Sequence, residues 1–512
     1  MPGRLRRNRR RAEMLKIRTD AALDHFEETV PRQRNNGDEK RYRDKRANFF
    51  KCLPQNQLGE VARSAYADFL RALHSGDPAD FDAIPLSNIA ERGLVNPQAA
   101  YAFDLLSRDS HATVMTPAPR FDGAEIVAEM GEVYWQALTR DIAFADYTWD
   151  DDIAAAADDL DGFSAIQAPT EGGRITPNTL FRAGLPGDLS GPYLSQFLWH
   201  DVPYGASNIE QRYKVPVAGQ DFMLEHDEWL AIQRGVLPKT SITFDQTPRY
   251  IHNGRALGEY VHKDAVFQAY LNAALIIQAF GPDAQDPDMP YPSATQDGFA
   301  TFGAAHLFDM VTQAARLGLE AAWFHKWLVH RRLRAEVFAG RLEHQRGGRK
   351  DYGIDPEILT SEAADRMMSR FGSLLLPQSY PEGSPAHPSY PAGHSTVGGA
   401  CATVLKAFVN EAFTIPGPVQ ATADGLDLTP WTGADLSLGH EIDKLAGNIS
   451  IGRCIAGVHY RSDGRGMALG QAMAIGMLQD YSRTYNEDFD GFTLTSFEGA
   501  RIRIVDGNIE SA

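Results

Sequence analysis

The chain has 512 residues, 43% hydrophobic and 23% charged, and carries a formal net charge of −17. That balance is ordinary for a globular protein of two or three domain-sized units, and its sign excludes a surface that binds nucleic-acid phosphates as a whole. Three cysteines (Cys52, Cys401 and Cys454) with no CxxC pair exclude a disulfide framework and a cysteine zinc site.

The chain opens MPGRLRRNRRRAEM, basic and without the apolar stretch of a secretory signal, so residues 1–20 are expected to form a flexible, solvated arm. No apolar run approaches the length of a membrane span, and the expected location is soluble and cytoplasmic, with no nucleic-acid or membrane partner. Residues 21–260 read as an N-terminal helical part with long loops, including a helix over Leu58 to Leu73. The acidic stretch AFADYTWDDDIAAAADDLDGFS is expected to be a solvated face or linker. From Gly173 to Arg249 the chain is rich in Gly, Pro and aromatics, which predicts long connections with short strands.

Residues 261–512 read as a C-terminal helical part fused to the first. His262 to Phe280 has almost no polar face and predicts a buried helix. The loop after it carries Asp283, Asp286 and Asp288, hard oxygen ligands that suit calcium. They match no calcium-loop template, and a solvated turn is the favoured reading. Further helices are predicted from Ala304 to His330 or beyond, over His394 to Phe413, and over Gly464 to Tyr481. Alternating strand patterns are scarce, so the fold class is mainly α.

Three segments place charge where these patterns would bury it. In HKWLVHRRLRAE, Lys326, His330 and Arg334 are spaced i, i+4, i+8. On one helix, eight residues turn roughly 80° past two full turns, so side chains from both ends would lean toward one pocket. In HPSYPAGHS, two prolines present Gly393 and His394 at a helix entrance, where backbone N–H groups favour an anion. In NISIGRCIAGVHYRSDGRG, Arg453 lies among isoleucines, where an unpaired guanidinium is costly. There His459 and Asp463 are four apart, so the carboxylate would fix the imidazole and leave its other nitrogen free. Three cations (Lys326, Arg334, Arg453), a backbone donor at Gly393 and two imidazoles (His394, His459) suit a tetrahedral oxyanion with axial chemistry at its central atom.

The order K-x7-R, PxGH, R-x5-H-x3-D resembles the signature shared by vanadium-dependent haloperoxidases and a class of acid and lipid phosphatases. The words KWLVHRRLRAE, HPSYPAGHS and IGRCIAGVHYRSD are similar to the bromoperoxidase branch of red algae, brown algae and cyanobacteria, and the resemblance covers most of the chain. It implies paired four-helix bundles with vanadate at the end of the C-terminal bundle. It also implies oxidation of bromide and iodide by hydrogen peroxide to a hypohalous-acid equivalent that halogenates small organic acceptors. By the same resemblance His459 would be the vanadium ligand, with Asp463 behind it. His394 would bond the opposite axial oxygen and help deprotonate peroxide. Lys326, Arg334 and Arg453 would neutralise the equatorial oxygens, Lys326 also polarising peroxide, and Gly393 would donate its N–H. His387 falls where bromoperoxidases carry a second histidine near the site. Red algal members imply a homo-oligomer, a dodecamer.

Three positions depart from the family pattern: Ala392 replaces the serine of PSGH, Ala335 a proline, and Gly452 precedes Arg453 where the phosphatases prefer serine. Two alternatives stay open at this stage. A phosphatase would use His459 as a nucleophile on phosphate, which has the same tetrahedral shape. A relic would bind the oxyanion without turnover.

Overall fold

Residues 2–512 are described by this computed structural model, with side chains described from residue 8 onward. Helices dominate, as expected. Those of ten residues or more are α1 (Pro2–Glu27), α2 (Arg63–Ser75), α3 (Ala124–Thr139), α4 (Asp151–Asp161), α5 (Gln268–Ala279) and α6 (Ala304–Phe324). They continue with α7 (Ala335–Arg346), α8 (Glu362–Phe371), α9 (Gly393–Lys406), α10 (Leu438–Ile455) and α11 (Gly466–Ser482). Strands form two hairpins and one three-stranded antiparallel sheet. One hairpin, Val202–Tyr204 with Ser207–Ile209, lies in the Gly- and Pro-rich stretch expected to hold short strands.

Helix α9 packs against α6, α10 and α11 and makes the centre of the C-terminal bundle. Glycines let it approach α11 backbone to backbone. A Cβ on Gly399 would lie 2.0 Å from the Met467 carbonyl oxygen, and one on Gly470 1.8 Å from that of Thr396, so no larger residue fits without moving a helix. A second group gathers on α3, which touches α4, α7 and α8 and meets the bundle through α10. One buried apolar cluster runs from Ala47 to Ile504 across both groups.

Chain direction decides where the chemistry falls. Helix α6 ends, α9 begins, α10 ends and α11 begins at one end of the bundle, and the charged motifs of the sequence occupy those termini.

The structure corrects several sequence expectations. Of the basic arm expected to be flexible over residues 1–20, the described part, residues 2–20, lies within helix α1. Its composition is dominated by strong helix formers, and its far end is tied down by His25, whose Nε2 lies 3.0 Å from Asp480 Oδ1. The acidic stretch is not merely a solvated linker. Asp150 caps α4 by accepting from the Asp152 and Ile153 amides, and Ile153, Ala156, Ala157 and Leu160 are buried. Asp283, Asp286 and Asp288 do not gather into a calcium cage. Asp286 Oδ1 accepts from the Asp288 amide instead, and no cluster of three potential metal-ligating acidic, His or Cys residues occurs among the described residues.

The largest correction concerns the basic helix. After α6 the chain makes a wide π turn over His325–His330, and Arg331 then adopts a left-handed φ of 43°. Arg334 is the N-cap of α7, so Lys326 and Arg334 do not share a helix. Local pairing drives the break. Arg331 is clamped by Glu39 at 2.8 and 2.6 Å and donates to the Trp327 carbonyl at 2.8 Å. Its own carbonyl accepts from the Phe49 amide, and Leu333 N–H bonds the Ala47 carbonyl. Among the described residues no helix is long and apolar enough to cross a membrane.

Candidate active site

The π turn sends Lys326 inward, where it is fully buried. Its Nζ donates to the Pro388 and Ser389 carbonyls at 2.7 and 2.8 Å. Arg334 reaches the same loop from the start of α7, donating to the His387 carbonyl at 3.0 Å and the Val458 carbonyl at 2.7 Å. Arg453, in the last turn of α10, donates to the Val261 carbonyl at 2.5 Å, while its buried Nε has no partner among the described residues.

None of these three cations has a carboxylate within salt-bridge distance among the described residues. Burial alone holds Lys326 well below the usual lysine range, and Arg334 and Arg453 push it further down against the pull of Asp463. Burial likewise brings Arg334 down to about 9, with Asp463 opposing that shift and Arg453 adding to it. Three buried, mutually repelling cations with an orphan N–H make an arrangement that an anion would relax. The donor set fits a tetrahedral oxyanion such as vanadate or phosphate.

Two of the histidines, His459 and His394, are held in defined tautomers by carboxylates. His459 lies in the loop after α10, where Gly457 takes a left-handed φ of 86° and turns the chain back. The reversal is closed by the Val458 amide, which bonds the Arg453 carbonyl at 3.2 Å. His459 Nδ1 donates to Asp463 Oδ2 at 2.7 Å, so Nε2 carries the lone pair, and Arg334 Nη1 lies 2.9 Å from it. Asp463 sits in the short 3₁₀ turn Arg461–Arg465 and also accepts the Tyr460 amide at 3.1 Å. Burial and the Arg334 charge keep His459 neutral by lowering its pKa far below the ordinary value, despite Asp463.

His394, in the first turn of α9, donates from Nε2 to Asp264 Oδ1 at 2.9 Å and keeps Nδ1 as a base. Burial lowers its pKa, Asp264 opposes that shift, and Arg453 adds to it. His387 Nδ1 lies between a donor and an acceptor, 3.0 Å from Arg334 Nη2 and 3.1 Å from the Pro388 carbonyl oxygen. Its ring packs against Trp323 with centroids 4.9 Å apart.

At the entrance of α9, Ala392 occupies the N-cap with an extended backbone and no side-chain cap. The first intrahelical bond is Thr396 N–H to the Ala392 carbonyl, so the amides of Gly393, His394 and Ser395 precede it. A serine at 392 would cap the helix and supply a hydroxyl to an anion. Ala392→Ser is therefore expected to tighten orthovanadate binding roughly tenfold, the size of one hydrogen bond to a charged group. Equilibrium dialysis checks this, and an unchanged constant would contradict it.

Sequence reasoning missed the supports. Asp463 Oδ1 is held by Arg332 at 2.9 Å, Arg332 in turn pairs with Glu129 at 2.9 Å, and Ser389 donates to Asp463 Oδ2. Arg332 was visible only as one more charge in a basic run, and Asp264 and Glu129 belong to no motif. His330, grouped with Lys326 and Arg334 by spacing, does not join them. It lies buried against His325 and Tyr390, with both ring nitrogens unpartnered.

Comparison with known proteins agrees with this geometry. The family described as the VCPO second helical-bundle domain matches residues 369–487, which span α9, α10 and α11. A vanadium-dependent bromoperoxidase of Ascophyllum nodosum is 33% identical over 522 residues, covering 97% of this chain and 93% of that protein. One from Corallina pilulifera is 33% identical over 545 residues, covering 90% of this chain and 91% of that protein. The homohexameric second vanadate-dependent bromoperoxidase of Ascophyllum nodosum superposes with a TM-score of 0.92 at 29% identity, covering 98% of this chain and 91% of that one. The likeness extends through both helical groups and the loops that carry the three motifs, and the chain belongs to the vanadium-dependent bromoperoxidase family.

Proposed function

We propose that the protein oxidises bromide and iodide with hydrogen peroxide to a hypohalous-acid equivalent, which halogenates small organic acceptors. The observation that carries this reading is the set of three buried cations without carboxylate partners among the described residues, beside the His459 Nε2 lone pair that Arg334 faces. Bound vanadate supplies a Lewis-acid centre that activates peroxide without changing its oxidation state.

The chain's residues do the rest. His459 offers its Nε2 lone pair as the ligand, with Asp463 fixing the ring. Arg334, Arg453 and Lys326 would hold the oxygens of the anion, and the Gly393 amide would add a donor. Nδ1 of His394 accepts a proton from incoming peroxide, and Asp264 stabilises the imidazolium that results. Lys326, as a buried donor beside this anion, would polarise the peroxide toward halide attack. His387 lines the same pocket through Arg334 and is expected to bias turnover toward bromide and iodide. Chloride turnover equal to bromide turnover at neutral pH would contradict that role.

Phosphate would satisfy the same donors, so two assays on one metal-free preparation separate the readings. Bromide-dependent halogenation of monochlorodimedone should appear on adding orthovanadate and be inhibited by phosphate. Hydrolysis of a chromogenic phosphate ester without vanadate, and no halogenation with it, would favour the phosphatase. The structural neighbour is a homohexamer. It supports assembly of this chain as a homo-oligomer, with six copies favoured over the twelve that the red algal resemblance implies.

A further inference from the structure

We propose that His262 is a positioning residue for this site: clamped between two glutamates on the face of Tyr380, it fixes the turn that offers Asp264 to His394 and the Val261 carbonyl to Arg453. The inference rests on the vanadate-site reading above. His262 follows the short helix Gly254–Tyr260, and its side chain is 5% exposed. Nδ1 lies 3.1 Å from Glu259 Oε2 and Nε2 2.7 Å from Glu382 Oε1. Carboxylates on both nitrogens are satisfied together only when both nitrogens carry protons, so the ring is an imidazolium.

The ring lies flat on Tyr380, centroids 3.7 Å apart and planes within 4°. Tyr380 is itself tied to the turn, donating from Oη to the Gly258 carbonyl. The same Oη lies 3.4 Å from Arg453 Nη1. Glu382 is anchored from the other side, its backbone carbonyl accepting from Lys51 at 3.2 Å and Arg92 at 3.0 Å. One protonated ring therefore joins the turn at residues 258–264 to the 380–382 segment, and the turn carries a direct partner for each of two site residues. Asp264 holds His394 at 2.9 Å, and the Val261 carbonyl holds Arg453 at 2.5 Å.

The charged and titratable groups facing His262 are Glu259, Glu382 and Tyr380, with Arg453, Asp264 and Lys263 beyond them. Burial lowers its pKa, but the bonds to Glu259 and Glu382 outweigh burial and leave it raised above the ordinary histidine value. The clamp is therefore complete below that raised value and lost as pH rises through it. Deprotonation leaves one glutamate without its donor, and the tie between the turn and the 380–382 segment is weakened to the Tyr380–Gly258 bond and the single remaining ring N–H.

The test is orthovanadate binding to vanadate-free protein by equilibrium dialysis across the neutral-to-alkaline range, comparing wild type with H262A, H262R and E382Q. At the acid end wild type should bind roughly tenfold more tightly than H262A, the usual effect of removing such a support. That ratio should fall toward one as pH rises, while pH dependence common to vanadate itself cancels. H262R keeps a planar cation at every pH and should not show the alkaline loss. E382Q removes one carboxylate and should move the loss to lower pH, which gives a second reading if H262A folds poorly. A wild-type to H262A ratio that does not change with pH, or H262R and E382Q both following the wild-type curve, would overturn the inference. No vanadate binding by wild type would instead overturn the proposed function and this inference with it.

Discussion

His459→Ala is expected to strip vanadium from the protein, lowering its affinity more than about a hundredfold, and to abolish bromide oxidation with it. The expected loss is specific, because Asp463 keeps Arg332 and Ser389 as partners when the imidazole is gone. His394→Ala should behave differently. The three cations and His459 remain, so most vanadium should stay bound, while turnover falls about 10²–10⁴-fold with loss of the proton acceptor. Metal analysis beside halogenation rates checks both variants. Equal vanadium content in the two would show that the ligand and acid–base roles are wrongly divided.

The second large effect is expected at Asp463, where stability and the site are joined. Its carboxylate is fully buried and serves Arg332, His459, Ser389 and the Tyr460 amide. Burial alone would raise its pKa, but Arg332 and His459 outweigh burial and hold it far below the usual carboxylate range. A depressed carboxylate contributes its stability in full above the unfolded value of about 4 and loses it only as pH falls through the folded value. Asp463→Asn should therefore destabilise the protein throughout the neutral range. Of its two carboxylates Arg332 would keep only Glu129, beside the Ser462 hydroxyl, and breaking a buried pair costs about 3–5 kcal/mol. Vanadate affinity should fall together with the denaturation midpoint, since His459 loses the charge behind its ring. A variant as stable as wild type in urea would contradict this account of the network.

Much of the site was legible in the sequence because its chemistry is local. His459 and Asp463 sit four residues apart, and Gly393 and His394 lie at a helix start that the prolines announce. Those short spacings survive in the fold, although His459 and Asp463 meet through a reversed chain and a capping turn rather than on a helix. Lys326 and Arg334 were correctly paired by a wrong geometry. A continuous helix looked natural for HKWLVHRRLRAE, but Glu39 and the 47–49 segment, far away in sequence, pull Arg331 out of it. Asp264, Arg332 and Glu129 could not be read at all, since each earns its role from a partner more than a hundred residues distant. The loop acids bear out the favoured solvated turn over calcium: Asp286 accepts from the Asp288 amide, and the three aspartates form no metal-ligating cluster among the described residues.

The central claim is that the charge left uncompensated by Lys326, Arg334 and Arg453 is there for vanadate held on His459, and that turnover depends on it. Its most direct test is to titrate chelated, vanadium-free protein with orthovanadate while following bound vanadium and bromide oxidation in the same samples. The account predicts that activity starts at zero and rises in step with bound vanadium to one atom per chain. Full bromide oxidation in the vanadium-free sample, or none at one vanadium per chain, would contradict it.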